Sequence, residues 1–170
     1  MSTRGVVGYY KNGNLKVTFN HFDSYPGGLG ESVKQYIFEN INNLDDHFNN
    51  IKLINNEQLT DSIEEELNSL EQGNLLEYVT LGYMFDEKEF LKDSLFCGWA
   101  YIIDLDKKVL EIYRGFNENK PKGKFKNWGK AKITDKYFPV TLVKTIPFEK
   151  IKNFDMCKFE EKIYKKENKE

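Results

Sequence analysis

The dipeptide Asn12-Gly13 constrains this chain more than any other feature. Both residues tolerate the positive φ angles of a type I′ turn, whose twist matches that of two antiparallel strands. The flanking runs 6–10 and 15–19 are rich in β-branched and aromatic residues, so the spacing predicts a two-residue β-hairpin. Counting outward sets the register. Lys11 faces Asn14, Tyr10 faces Leu15, Gly8 faces Val17, Val6 faces Phe19 and Arg4 faces His21. Side chains alternate along a strand, so Val6, Tyr10, Leu15, Val17 and Phe19 share one face, expected to be the buried one. The end away from the turn then gathers Ser2, Arg4, His21 and Asp23, with Asn20 on the opposite side of its strand.

Residues 23–30 hold one Pro and three Gly and break regular structure. Apolar residues at Val33, Tyr36, Ile37 and Ile41 predict a helix over 30–41. Asn42 or Asn43 then caps a shorter helix carrying Leu44, Phe48 and Ile51. A third helix follows from Leu59, Ile63, Leu67 and Leu70, ends at Gly73 and is acidic on its remaining positions. Residues 75–90 have no clean period. A second hairpin is expected from 96–103 and 109–113, a further strand from 138–146, and a terminal helix from 154–164 before a charged tail at 165–170. These elements predict a single α+β domain over 1–170. Its mostly antiparallel sheet is built from two hairpins plus a later strand, with helices packed on one face.

Composition narrows the function classes. Lys and Arg number 25 against 27 Asp and Glu, a formal charge of −2, which argues against a protein that coats nucleic acid. No apolar run approaches the ~20 residues of a membrane span, and the start lacks a signal-peptide pattern. A cytoplasmic protein with no membrane partner is expected. Cys97 and Cys157 are too few for a disulfide framework, and with His21 and His47 they make no metal-binding spacing. No metal and no cofactor are expected.

Three segments could carry chemistry. A histidine between a cation and a carboxylate is placed for proton transfer, and an arginine holds an anion with paired hydrogen bonds. Arg4, Asn20, His21 and Asp23 fit that pattern, yet they equally close the polar edge of a core. The loop Tyr25-Pro26-Gly27-Gly28-Leu29-Gly30 runs into a helix, where backbone N–H groups attract anions. A sharp strand-to-helix connection explains its glycines as well. Segment 120–132 holds Lys120, Lys122, Lys124, Lys126, Lys130 and Lys132 with Phe125 and Trp128. Such a loop can neutralise phosphates while a ring stacks on a base, meet an acidic protein, or lie solvated with its Trp in the core. An enzyme reading uses His21 as general base with Asp23 orienting it, or Ser2 as an N-terminal nucleophile.

Thr3-Arg4-Gly5, Gly8, Asn12-Gly13, the run Asn20-His21-Phe22-Asp23-Ser24-Tyr25-Pro26 and Gly28-Leu29-Gly30 together resemble a group of small phage and bacterial proteins of unknown function. The pattern covers about the first thirty residues. The resemblance brings no reaction and no catalytic residue. It implies a mobile-element setting, in which small proteins bind and disable host components. The expectation is a non-catalytic binding protein of the anti-defence type. It would antagonise a host nucleic-acid- or nucleotide-dependent system through the basic aromatic loop and the N-terminal anion pocket. Its partner would be a host protein or ribonucleoprotein, with a small anion or nucleic acid as a further ligand. The alternative is the small hydrolase.

Overall fold

The structure, a computed structural model, describes residues 3–130 and 135–169. It is an α+β fold around a five-stranded sheet. Strands β1 (Gly5–Lys11) and β2 (Asn14–Asn20) form the first hairpin. Every register pair expected from Lys11–Asn14 to Val6–Phe19 is present. The ladder stops at Gly5–Asn20, one step short of pairing Arg4 with His21. There the chain turns away, and the Ser24 N–H bonds the Thr3 carbonyl instead.

A wide turn over Pro26–Gly30 leads into α1 (Glu31–Glu39), then α2 (Leu44–Asn50), the short β3 (Lys52–Ile54), α3 (Asp61–Asn68) and α4 (Leu75–Leu81). Gly82 ends α4 at φ 91°, where a side chain would be strained. Residues 83–85 form β4 (Tyr83–Phe85), which pairs in parallel with β3, a small sheet the unclear 75–90 segment did not announce. The second hairpin is β5 (Trp99–Asp104) with β6 (Val109–Arg114). It starts later than position 96 because the Asp93 carbonyl accepts the N–H groups of Phe96 and Cys97 in a turn. Strand β7 (Thr141–Pro147) pairs with β6, and α5 (Met156–Asn168) closes the chain. The charged tail expected after position 164 is helical to Asn168. Arg114 grips Glu167 with Nε and Nη2 at 2.7 and 3.1 Å, and Lys165 and Lys166 complement the C-terminal dipole.

The strand order is β2-β1-β5-β6-β7, and β1 pairs with β5 in parallel, the one parallel contact of this sheet. Strand β5 is buried along its whole length, as a central strand covered on both sides must be. The expectation of a single buried hairpin face is corrected here. Val7 and Tyr9 face the helices and join Trp99, Tyr101, Ile103, Ile37 and Phe48 in the larger core. Val6 and Val17 occupy the other face, with Ala100, Ile102, Tyr113, Phe125 and Val140. The helices of the larger core cover one face, and Leu91, Cys97, Phe125, Trp128 and Val140 cover the other.

Candidate functional site

The residues grouped at the open end of the first hairpin do not converge. Arg4 and Asp23 are exposed and His21 is half-buried. His21 and Asp23 form no hydrogen bond or ion pair with each other, and the His21 ring packs edge-on against Phe22 at 4.3 Å and near Phe19 at 5.7 Å. The Arg4 guanidinium lies over the Phe96 ring at 5.9 Å. Asn20 is buried and holds the turn from inside, donating through Nδ2 to the Phe22 carbonyl at 2.5 Å and Ser24 Oγ at 2.8 Å. Asp23 sits at φ 51°, and its carbonyl accepts the Leu29 N–H at 2.8 Å. Ser2 lies outside the described residues.

The glycine loop spends its own amides. Gly28 and Gly30 donate to the Tyr25 carbonyl, and Gly27 donates to the Glu160 carboxylate of α5 at 2.9 Å. An anion does sit on this loop, and it belongs to the chain itself. A Cβ on Gly28 would meet the Asp23 carbonyl at 2.3 Å, and one on Gly30 would meet the Tyr101 ring at 3.0 Å. Packing therefore requires glycine at position 28 and leaves little room for a side chain at position 30. A cleft of about 640 Å³ opens beside Gly27 and Gly28, but its charged lining is Glu31, Glu39 and Glu71. A small anion entering there meets three carboxylates and no cation. Tyr25 packs against the helix-side core.

The basic segment divides in two. Lys120, Lys122 and Lys126 are exposed, and Lys130 is exposed with Nζ bonded to the Asp135 carbonyl. Lys132 lies outside the described residues. Phe125 is buried between Tyr113 and Trp128, with ring centroids 4.8 and 4.7 Å away. Trp128 is half-buried in the same cluster. Lys124 turns inward as well, its Nζ 2.5 Å from Asp104 Oδ2, 3.0 Å from Glu111 Oε1 and 4.0 Å from the Tyr10 ring centroid. Asp104 is fully buried and Glu111 nearly so. Burial pulls the Lys124 pKa down, but its hydrogen bonds to Asp104 and Glu111 and their charges hold it above the usual lysine value. Tyr113 donates its hydroxyl to Glu111 at 3.1 Å. Asp104 Oδ1 accepts the N–H groups of Asp106 and Lys107, each at 2.9 Å.

No protein-family model, curated protein or solved structure matches the chain. No helix among the described residues is long and apolar enough to cross a membrane.

At the sheet end opposite the Asn12-Gly13 turn, apolar side chains stand in solvent. Phe22, Phe96 and Phe116 are 62%, 45% and 53% exposed. Their loops are laced together by backbone bonds from Gly98 to Arg4, Gly115 to Gly98 and Phe116 to Ser94. Arg114 is the second cation of this end, stacked over Trp99 at 4.6 Å and Phe116 at 5.1 Å. Phe116 adopts φ 51°, a left-handed conformation that costs a bulky residue about 1–2 kcal/mol. Hydrogen bonds hold it there. Its own N–H bonds the Ser94 carbonyl at 2.5 Å, and the next residue, Asn117, bonds Ser94 Oγ and the Pro139 carbonyl, each at 3.0 Å.

Of these residues, sequence reading located Arg4 and missed Phe96, Phe116, Arg114, Asp104 and Glu111. One signal was available. Glu111 interrupts an otherwise apolar strand, Val109-Leu110-Glu111-Ile112-Tyr113, and a charge at such a position needs a buried partner.

Proposed function

We propose that this is a non-catalytic binding protein that engages its partner through the open end of the sheet, with Phe22, Phe96 and Phe116 as apolar anchors and Arg4 beside them. The observation that carries this reading is Phe116. The chain spends backbone strain and three hydrogen bonds to present an aromatic ring to water, and such strain concentrates where a side chain must be displayed. Aromatic residues with an adjacent arginine are also the composition that dominates binding energy at protein interfaces. The setting implied by the first thirty residues makes the partner a component of a host nucleic-acid- or nucleotide-dependent defence system. The exposed Lys120, Lys122 and Lys126 provide a second, salt-sensitive contact.

The test uses the immobilised full chain and a bacterial extract, with the Phe96→Ser/Phe116→Ser double variant as control and near-UV circular dichroism to verify its fold. The wild type is expected to retain a defined component that the double variant releases. A Lys120→Glu/Lys122→Glu/Lys126→Glu variant should weaken retention and flatten its salt dependence. Identical retention by the wild type and the phenylalanine variant would overturn the assignment.

A further inference from the structure

We propose that Lys124 and Asp104 condense to an intramolecular isopeptide bond, with Glu111 as the proton-transfer residue. The inference is independent of the binding surface and rests on the buried cluster at the other end of the sheet. Three ionisable groups meet there, with Lys124 Nζ bridging the Asp104 and Glu111 carboxylates at 2.5 and 3.0 Å. Tyr10 and Tyr113 wall the cluster, Phe125 packs behind Tyr113, and the two acids are buried.

The geometry supplies each part of an acyl transfer. The nucleophile, Lys124 Nζ, lies 2.5 Å from Asp104 Oδ2, with the electrophilic Cγ one bond behind that oxygen. Holding amine and acyl group in contact converts a bimolecular condensation into a unimolecular one, worth effective molarities of about 10⁵ M or more. The other oxygen, Oδ1, accepts two backbone N–H groups at 2.9 Å, the arrangement that stabilises charge developing on a carbonyl under attack. Glu111 Oε1 is 3.0 Å from Nζ and is oriented by the Tyr113 hydroxyl.

The step balances without an added reactant. The Lys124 ammonium gives one proton to Asp104 Oδ2, which leaves a neutral amine facing a neutral acid as the reacting pair. Nζ attacks Cγ, and Glu111 takes a second proton from nitrogen and delivers it to Oδ2. The Cγ–Oδ2 bond breaks and Oδ2 leaves as water, so nitrogen keeps one hydrogen, the amide is neutral and Glu111 returns to a carboxylate. The new bond would tie the covering segment between β6 and β7 to the end of β5.

Intact-mass spectrometry of the purified, folded chain tests this directly, with peptide mapping after proteolysis. The expected result is a chain lighter than its sequence by one water, after allowance for Met1, and one branched peptide joining positions 104 and 124. Lys124→Arg keeps the positive charge but not the nucleophile, and Glu111→Gln removes the proton carrier. Both should show the full mass. A full mass in the folded wild type overturns the proposal. So does a water loss that persists in Lys124→Arg, since that loss would come from dehydration elsewhere.

Discussion

The two ends of the five-stranded sheet invert the usual rule of polar outside and apolar inside. At the turn end, Asp104, Glu111 and Lys124 are charged and buried. At the open end, Phe22, Phe96 and Phe116 are apolar and exposed. The inversions differ in what satisfies them. Every buried charge at the turn end finds a partner within the chain, so that cluster explains itself as structure. The exposed rings are covered only in part, by Arg4 over Phe96, Arg114 over Phe116 and His21 against Phe22, and Phe116 is held in a strained conformation. Apolar surface that the chain covers only in part is the better pointer to a partner.

The largest effect should come from breaking the turn end. Lys124→Met leaves two carboxylates buried without a cation and should cost about 3–5 kcal/mol, read from the urea unfolding midpoint. A loss below about 1 kcal/mol would mean that water reaches the cluster and that the contrast is superficial.

Next in size is a change within the helix-side core. The Tyr9 and Tyr36 hydroxyls bond each other, and Tyr36 also meets His47 Nδ1 at 2.8 Å. Tyr36→Phe deprives the buried Tyr9 hydroxyl of its partner and should cost about 1–3 kcal/mol in the same assay. The same pair dictates alkaline behaviour. Burial pushes the Tyr36 phenol up to about 12 although its bond to Tyr9 pulls the other way. Folding therefore favours the protonated phenol. Its contribution is fully present below the ordinary value of 10.0 and is lost as pH climbs from there towards 12. Unfolding midpoints measured across that window should fall, and a flat profile would mean that the phenols are solvated.

The open end should respond less. Phe116→Gly removes the left-handed strain together with the covered half of the ring and its Arg114 stack, so the terms should offset and leave stability within about 1 kcal/mol of the wild type. A clear destabilisation would show that the ring packs internally and would erase the difference between the two ends. The smallest effect is expected for Arg4→Ala, within about 0.5 kcal/mol by chemical denaturation, since the side chain is exposed and rests on one ring. Its consequence should appear in partner binding alone.

What the sequence determined by itself was local. The Asn12-Gly13 turn dictated a hairpin and its register from Lys11–Asn14 to Val6–Phe19, because a two-residue turn leaves one way to zip the flanking strands. Helical spacing placed Val33, Tyr36 and Ile37 on a buried face of α1, since a period near 3.6 residues is a property of neighbouring positions. The α+β class follows from such elements in series. Tertiary structure decided everything that depends on residues far apart in the chain. The parallel union of β1 with β5 required a connection over residues 12–98, nearly ninety positions, which no local pattern encodes. That union made both hairpin faces interior, so the apolar stripe read as the core face turned out to be one of two. The same long-range packing set Glu160 on the Gly27 amide and drew Lys124 and Phe125 out of an apparently basic loop. It also left three phenylalanines only partly covered at the open end. A lysine in sequence is only a charge; whether it meets water or a buried carboxylate depends on which distant strand lies beneath it.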